Sequence, residues 1–374
     1  MLSYCTNVHP AEDLDGILRQ LDAYAVPVRE RLGEDRLGVG LWLAADVAAG
    51  LAADPAARRG FAAELAARGL AVETLNAFPY GGFHDEVVKH SVYVPTWTDP
   101  RRLRYTVDCI TVLTDLLPPD AGYGSISTLP LAWRQPWSSS HDIRAAIALD
   151  EVTRVLRSAR ARHEQPIKLA VEPEPGCVLD TVDDALGWLA GRADPDYIGL
   201  CLDTCHLAVS FADPAQTVER IRRAGLDVVK VQASAALHVE HPGTAEAMAA
   251  LREFAEPRYL HQVRERSAAG EVLAADDLLE AMGELPATGP WRVHFHVPLH
   301  AQPDAPLTST TGVLTAALAA LAAQGPLPHI EVETYTWNVL PAGARQELAA
   351  GIADELRWAL EAIESARHAK EVSA

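Results

Sequence analysis

The sequence predicts an α/β protein whose eight parallel strands close into a (β/α)8 barrel. Three observations carry this. Short apolar runs alternate with longer amphipathic stretches along the chain, the pattern of strands joined by crossover helices. The first run leads into Thr6-Asn7-Val8-His9-Pro10, a loop without glycine, whereas an open nucleotide-binding sheet needs a Gly-x-Gly-x-x-Gly turn there; no P-loop occurs either. Finally, Glu172, Asp203 and Gln232 end three successive runs at intervals of about 30 residues, one strand–helix unit each.

The expected strands are 2–7, 37–43, 71–78, 124–131, 168–172, 198–203, 228–232 and 330–334. Helical patterns cover 13–32, 55–68, 101–117, 142–163, 181–191, 215–224 and 311–323, with a last helix over 341–368. Asp54-Pro55, Asp99-Pro100 and Asp213-Pro214 are helix starts, with Asp as cap and Pro in the first turn. Residues 238–310 break the rhythm and read as an insertion after strand seven, a hairpin plus helix over the barrel mouth of a single domain spanning 1–374. Two segments compete for the eighth strand, 291–300 and 330–334. The 374-residue length suits one barrel, which takes roughly 250 residues and up to about 400 with insertions.

Composition narrows the partners. With 32 basic against 51 acidic residues, the formal charge of −19 repels phosphate backbones and anionic lipid, so neither nucleic acid nor a membrane is expected. No apolar run approaches the roughly 20 residues of a membrane span, and the N-terminus lacks a signal-peptide pattern. Five cysteines do not make a disulfide framework, so a cytoplasmic setting with reduced thiols is expected.

In such a barrel the C-terminal strand ends share one rim. Glu172, Asp203 and Gln232 end strands five to seven, and Glu333 ends the last. Crowded carboxylates need a cation or shared protons, and oxygen ligands with imidazole suit Mn, Mg, Zn, Co or Fe. His206, three residues after Asp203, and His296, just before Pro298, complete the expected metal set of Glu172, Asp203, His206, Gln232, His296 and Glu333. Glu172 and Glu333 also flank the cation as proton-transfer pair. Strand alternation would put His294, His296 and His300 on one face; His294 divides between the site and a buried row beside the core. Asn7, His9, Asn76, His84, His261, His294 and Trp337 are the expected contacts to a polyol or sugar, whose C–H face stacks on aromatic rings. Lys89 reads as an exposed loop lysine, and Cys201 and Cys205 as small buried residues.

The segment Gly199-Leu200-Cys201-Leu202-Asp203-Thr204-Cys205-His206 resembles the strand-six signature of endonuclease IV. More broadly it is similar to the xylose-isomerase-like TIM-barrel superfamily of sugar isomerases, epimerases and AP endonucleases. Glu172-Pro173 resembles that superfamily's strand-five ligand and Glu333 its strand-eight glutamate, while Gln232 stands where a histidine is usual. The resemblance implies one to three divalent metals at the rim, and an option of homo-oligomers. A narrower likeness covers nearly the whole chain: Tyr4-Cys5-Thr6-Asn7-Val8-His9-Pro10, Leu75-Asn76-Ala77-Phe78-Pro79-Tyr80, Tyr105-Thr106, His294-Phe295-His296-Val297-Pro298 and Glu333-Thr334-Tyr335-Thr336-Trp337. These resemble the E-component family of the Ebo gene cluster, TIM-barrel "metabolite traffic" proteins associated with cyclitol-type or prenylated metabolites. Gln232, and Tyr259-Leu260-His261 where endonuclease IV has an Asp-x-His pair, depart from a phosphodiesterase, as does the acidic charge. The implied activity is a divalent-metal-dependent isomerase or epimerase of a sugar, keto-sugar or cyclitol; the alternative is a metabolite-binding protein without turnover.

Overall fold

The computed structural model describes residues 2–373. Seven parallel strands come first: β1 (Leu2–Cys5), β2 (Leu37–Trp42), β3 (Leu70–Asn76), β4 (Gly124–Thr128), β5 (Ile167–Val171), β6 (Ile198–Asp203) and β7 (Val228–Ala233). An inserted antiparallel sheet follows, built from β8 (Leu237–Val239), β9 (Val263–Arg266), β10 (Val272–Ala275), β11 (Trp291–Val293) and β12 (Leu307–Ser309). Then β13 (His329–Val332) pairs in parallel with both β7 and β1 and closes an eight-stranded barrel.

The eighth barrel strand is therefore the 330–334 candidate. The 291–300 candidate belongs to the insertion, because Trp291–Val293 is held antiparallel by β8 and β9. The ladder stops at Val293, so the strand alternation expected for His294, His296 and His300 does not apply. His300 lies apart, with its Nε2 2.8 Å from Gln346 Nε2. The insertion is also richer than a hairpin plus helix: five strands carry two helices, Ala245–Arg252 and Leu278–Glu284.

The Asp-Pro helix starts fold as their chemistry requires. Asp54 Oδ1 accepts from Ala56 N at 2.8 Å, Asp99 Oδ1 from Arg101 N at 2.9 Å and Asp213 Oδ1 from Gln216 N at 2.8 Å. The helix expected over 13–32 is continuous, but it widens to a π turn at Leu21–Ala25, just before Pro27, which has no N–H to donate. Two short helices were not expected from the sequence: Ala45–Ala53 and Thr204–Val209.

Inside the barrel, apolar layers give way to polar ones. Lys230 and Glu331, both fully buried, form an ion pair of 2.6 Å beneath the rim. Gly40 makes room for it: a Cβ there would lie 1.2 Å from Glu331 Oε1. Below, Ser125 Oγ bonds Thr74 Oγ1 and His329 Nδ1, each at 2.8 Å. This polar stack supports the strand ends above it. All five cysteines are buried free thiols, and no helix among the described residues is long and apolar enough to cross a membrane.

Candidate functional site

Three carboxylates meet at the rim. Glu172 follows β5, Asp203 ends β6 and Glu333 follows β13; a ligand oxygen of each lies within 4.8 Å of the others, and all three side chains are buried. Each is held by one oxygen or by its backbone. Asp203 Oδ1 accepts from Ser234 Oγ (2.7 Å) and from His206 N (3.0 Å), where it caps the helix Thr204–Val209. Glu333 Oε1 accepts from Asn7 Nδ2 (2.7 Å) and Asn76 Nδ2 (2.9 Å), amides presented after β1 and at the end of β3. The Glu172 N–H continues the sheet pairing to Thr128 O at 3.0 Å. Asp203 Oδ2, Glu172 Oε2 and both amide atoms of Gln232 are buried without a hydrogen-bond partner.

His296 joins this group. Its Nδ1 donates to the Glu333 carbonyl at 2.7 Å, which leaves Nε2 as a lone pair with no hydrogen-bond partner, 3.9 Å from Asp203 Oδ2. His206 Nδ1 donates to Pro173 O at 2.9 Å, and its Nε2 faces His294 Nε2 at 3.0 Å. A buried polar atom left unpaired costs about 1–3 kcal/mol. Carboxylates and an imidazole with such atoms form the donor set of a divalent cation. Glu172, Asp203, Glu333 and His296 fit such an ion, and the buried, partnerless Gln232 stands beside Asp203 in the sheet register.

Electrostatics agree. Burial, with Glu333 and Asp203 nearby, pushes Glu172 well above the usual carboxylate range; burial, Asp203 and Glu331 do the same to Glu333. Burial also pushes Asp203 upward, but His206, His296, the His206 N–H and Ser234 outweigh it and hold Asp203 low. Protonated Glu172 and Glu333 beside ionised Asp203 are the metal-free answer to crowding.

No protein-family model and no curated protein matches the chain. Solved structures do. An L-ribulose 3-epimerase aligns over 100% of this chain and 97% of its own at 15% identity, with a TM-score of 0.54. A xylose isomerase-like TIM-barrel protein from Mycobacterium smegmatis, in complex with magnesium, aligns over 98% and 97% at 15% identity and TM-score 0.54. A D-allulose 3-epimerase from Methylomonas sp., in complex with D-allulose, aligns over 96% of each chain at 13% identity and TM-score 0.50. The chain has the xylose isomerase-like barrel fold.

Above the carboxylates this xylose isomerase-like barrel has a cavity of about 60 Å³, lined by Asn7, Asn76, Glu172, Glu174, His206, His294, His296 and Glu333. Its walls are Phe83, Tyr93, Tyr259 and Tyr335, with Lys89 at the edge. Lys89 is therefore not a free loop lysine; it forms an ion pair with Asp277 of the insertion. Of the expected sugar contacts, Asn7, Asn76 and His294 reach the cavity. His9, His84, His261 and Trp337 are not among its lining side chains. His9 stacks on Tyr24 with ring centroids 4.6 Å apart, and His84 Nε2 donates to Asn7 O at 2.6 Å. His261 bridges Glu256 and the His294 carbonyl, each at 2.8 Å, and Trp337 Nε1 donates to Glu355 at 2.9 Å. Glu174, Tyr93, Gln262 and Lys230 carried no sequence signal as site residues, except that Glu174 lies two residues beyond Glu172 on the same strand exit.

Proposed function

We propose that the chain is a divalent-metal-dependent isomerase or epimerase acting on a sugar, keto-sugar or cyclitol. The observation that supports this best is the buried trio Glu172, Asp203 and Glu333, whose ligand oxygens lie within 4.8 Å of one another, with Glu172 Oε2 and Asp203 Oδ2 left without a hydrogen-bond partner. Sugar epimerases among the solved structures of this fold point the same way. Bound to Glu172, Asp203, Glu333, His296 and Gln232, a divalent cation would polarise a substrate carbonyl and its neighbouring hydroxyl, acidifying the C–H between them.

The protein's own groups move the proton. Glu172, as carboxylate, takes the proton from the carbon beside the carbonyl, leaving an enediolate. Glu333, as carboxylic acid, returns a proton to the opposite face for epimerisation or to the adjacent carbon for isomerisation, in which the hydroxyl proton also passes to the former carbonyl oxygen. One proton is taken and one returned, so the reaction is balanced without a redox partner. Asn7 and Asn76 fix Glu333 Oε1.

The cyclitol and biosynthetic-cluster setting rests on the sequence resemblance. The test is solvent exchange: Mn-loaded protein in D2O should introduce deuterium at a substrate carbon of at least one member of a ketose and inosose panel. Glu172→Gln should slow this by about 10²–10⁴-fold. No exchange across the panel, with metal saturating, defeats the reading. Gln232 favours a second reading, in which a weakly held ion serves binding only; tight ligand binding by thermal shift with no exchange would establish it.

A further inference from the structure

Tyr93 stands between two spaces. Its Oη donates to Glu174 Oε1, in the wall of the carboxylate cavity, at 2.8 Å. Its ring lies 5.3 Å from that of Trp133, in a groove of about 470 Å³ outside that cavity. Tyr93 lines both spaces, and the groove alone has the volume of an ordinary small-ligand pocket, roughly 300–1,000 Å³.

The groove's aromatic walls are fixed in place. Trp133 is seated over Gly176, where a Cβ would lie 2.3 Å from the indole Cη2, and Gly176 takes a φ of +91° that only glycine adopts freely. The Arg134 guanidinium lies over the Trp133 ring at 4.7 Å and is itself paired with Asp276. Trp137 Nε1 donates to Asp142 Oδ1 at 2.8 Å, and its ring stacks on His141 with centroids 5.3 Å apart.

The other lining groups bond hydroxyls. The Thr96 and Thr98 hydroxyls bond each other at 2.8 Å, which occupies one of their two hydrogens. His141 Nδ1 is 2.8 Å from Ser138 Oγ, which leaves Nε2 for a ligand, and Gln135 is exposed. No Asp, Glu, Lys or Arg lines the groove, so a charged ligand finds no counter-charge in its walls. A wholly apolar one would strip water from the threonines and His141 without replacing its hydrogen bonds. A neutral sugar or cyclitol ring meets both demands, packing a C–H face on an indole while its hydroxyls pair with the polar groups.

We propose that this groove binds a second ring of the substrate, so that the substrate class is a glycoside of a ketose or cyclitol and not the free monosaccharide. The first ring rests on the isomerase reading; the groove does not. Tyr93 closes the turn Lys89–Tyr93, and a shift of this turn joins the two spaces.

Titration of Mg-loaded, 15N-labelled protein, read by the indole N–H signals of its eight tryptophans, tests it. The single-ring probes are D-fructose and myo-inositol; isomaltulose and galactinol carry the same units with a second ring attached. Trp133→Phe and Trp137→Phe assign the two signals. The two-ring probes should bind at least about 10-fold more tightly than their parents, the worth of one well-packed aromatic contact. They should also shift the Trp133 and Trp137 signals, which the parents leave in place, and Trp137→Ala should erase the preference. No gain from the second ring, a gain with both signals unmoved, or a gain that survives Trp137→Ala overturns the proposal. Should Trp137→Ala fail to fold, the wild-type affinities and shifts decide. A chain that prefers two rings but exchanges no deuterium in D2O loses the isomerase reading and keeps the groove. One that exchanges deuterium into single-ring ketoses with no gain from a second ring loses the groove alone.

Discussion

Glu172 and Glu333 bind their protons tightly because the fold buries them beside each other and beside Asp203. The sign of the consequence follows from linkage. A carboxyl whose folded pKa is raised stabilises the fold at pH below its unfolded value of about 4.5, and that stabilisation fades as pH rises toward the folded value. Asp203, held low, runs the other way: its contribution is present above its ordinary range and fades as pH falls. A cation bound by these carboxylates would replace the glutamate protons, so its binding would release protons and tighten with pH. The difference in Tm between Mn-loaded and chelator-treated protein should therefore widen from about pH 5 to about pH 8. The Glu172→Gln/Glu333→Gln double variant should abolish the widening, and a constant difference in the wild type would contradict the assignment. These residues were legible in the sequence because a closed parallel barrel sends every strand end to one rim. Glu174, Gln262 and Lys89 were not, because their partners Tyr93, His294 and Asp277 meet them only through a loop and an insertion whose course no periodicity encodes.

The C-terminal helix Leu348–Ser373 acts on the site through one side chain. Glu355 is buried and accepts from Leu299 N (3.0 Å), Thr334 Oγ1 (2.7 Å) and Trp337 Nε1 (2.9 Å). It thereby ties the segment after His296 to the segment after Glu333. Burial pushes its carboxyl up to about 7, although the three donors pull it down. Its contribution to stability is thus largest below about 4.5 and declines until about 7. Glu355→Ala strands three buried donors and should cost about 2–4 kcal/mol. It should also weaken Mn binding at the carboxylates by about 10–100-fold, as loss of an orienting group does. An unchanged Mn affinity in folded Glu355→Ala protein would show that the helix braces the fold and not the site. This element also explains the misplaced Trp337: a strand-end aromatic looks like a sugar platform, but its indole N–H points to a helix 18 residues later. The barrel strands, by contrast, were legible to within a few residues, since each is a short apolar run followed by a longer amphipathic stretch, three of which open on Asp-Pro.

At the scale of the whole molecule, two chain segments, 83–94 after β3 and 256–262 of the insertion, meet at the mouth of the barrel. Val88 N and Lys89 N, in the segment after β3, donate to Arg258 O of the insertion at 2.8 and 2.9 Å. Tyr259 Oη donates to Phe83 O at 3.2 Å, and Phe83, Tyr259 and Tyr335 pack ring against ring with centroids 4.9–5.5 Å apart. Lys89 sits at φ +41°, a conformation that costs a side-chain-bearing residue roughly 1–2 kcal/mol and is kept by these bonds and by the ion pair to Asp277. The space between them, about 60 Å³, is far below the roughly 300 Å³ of an ordinary small-ligand pocket, so a sugar-sized ligand would fit only if the two segments part. Among the described residues, the Lys89–Asp277 pair is the one charged tie across that seam. Asp277→Asn removes the charge while keeping a residue able to cap the helix Leu278–Glu284, so the insertion should stay folded. Amide hydrogen exchange in 83–94 and 256–262 should then quicken by about 2–5-fold, the factor for a partly exposed ion pair of up to about 1 kcal/mol. The strands β4 to β7, paired on both sides within the closed ladder, should keep their protection. Equal exchange at the mouth in both proteins, or loosening that spreads into those strands, would mean the seam is held by its aromatic packing and not by the charge.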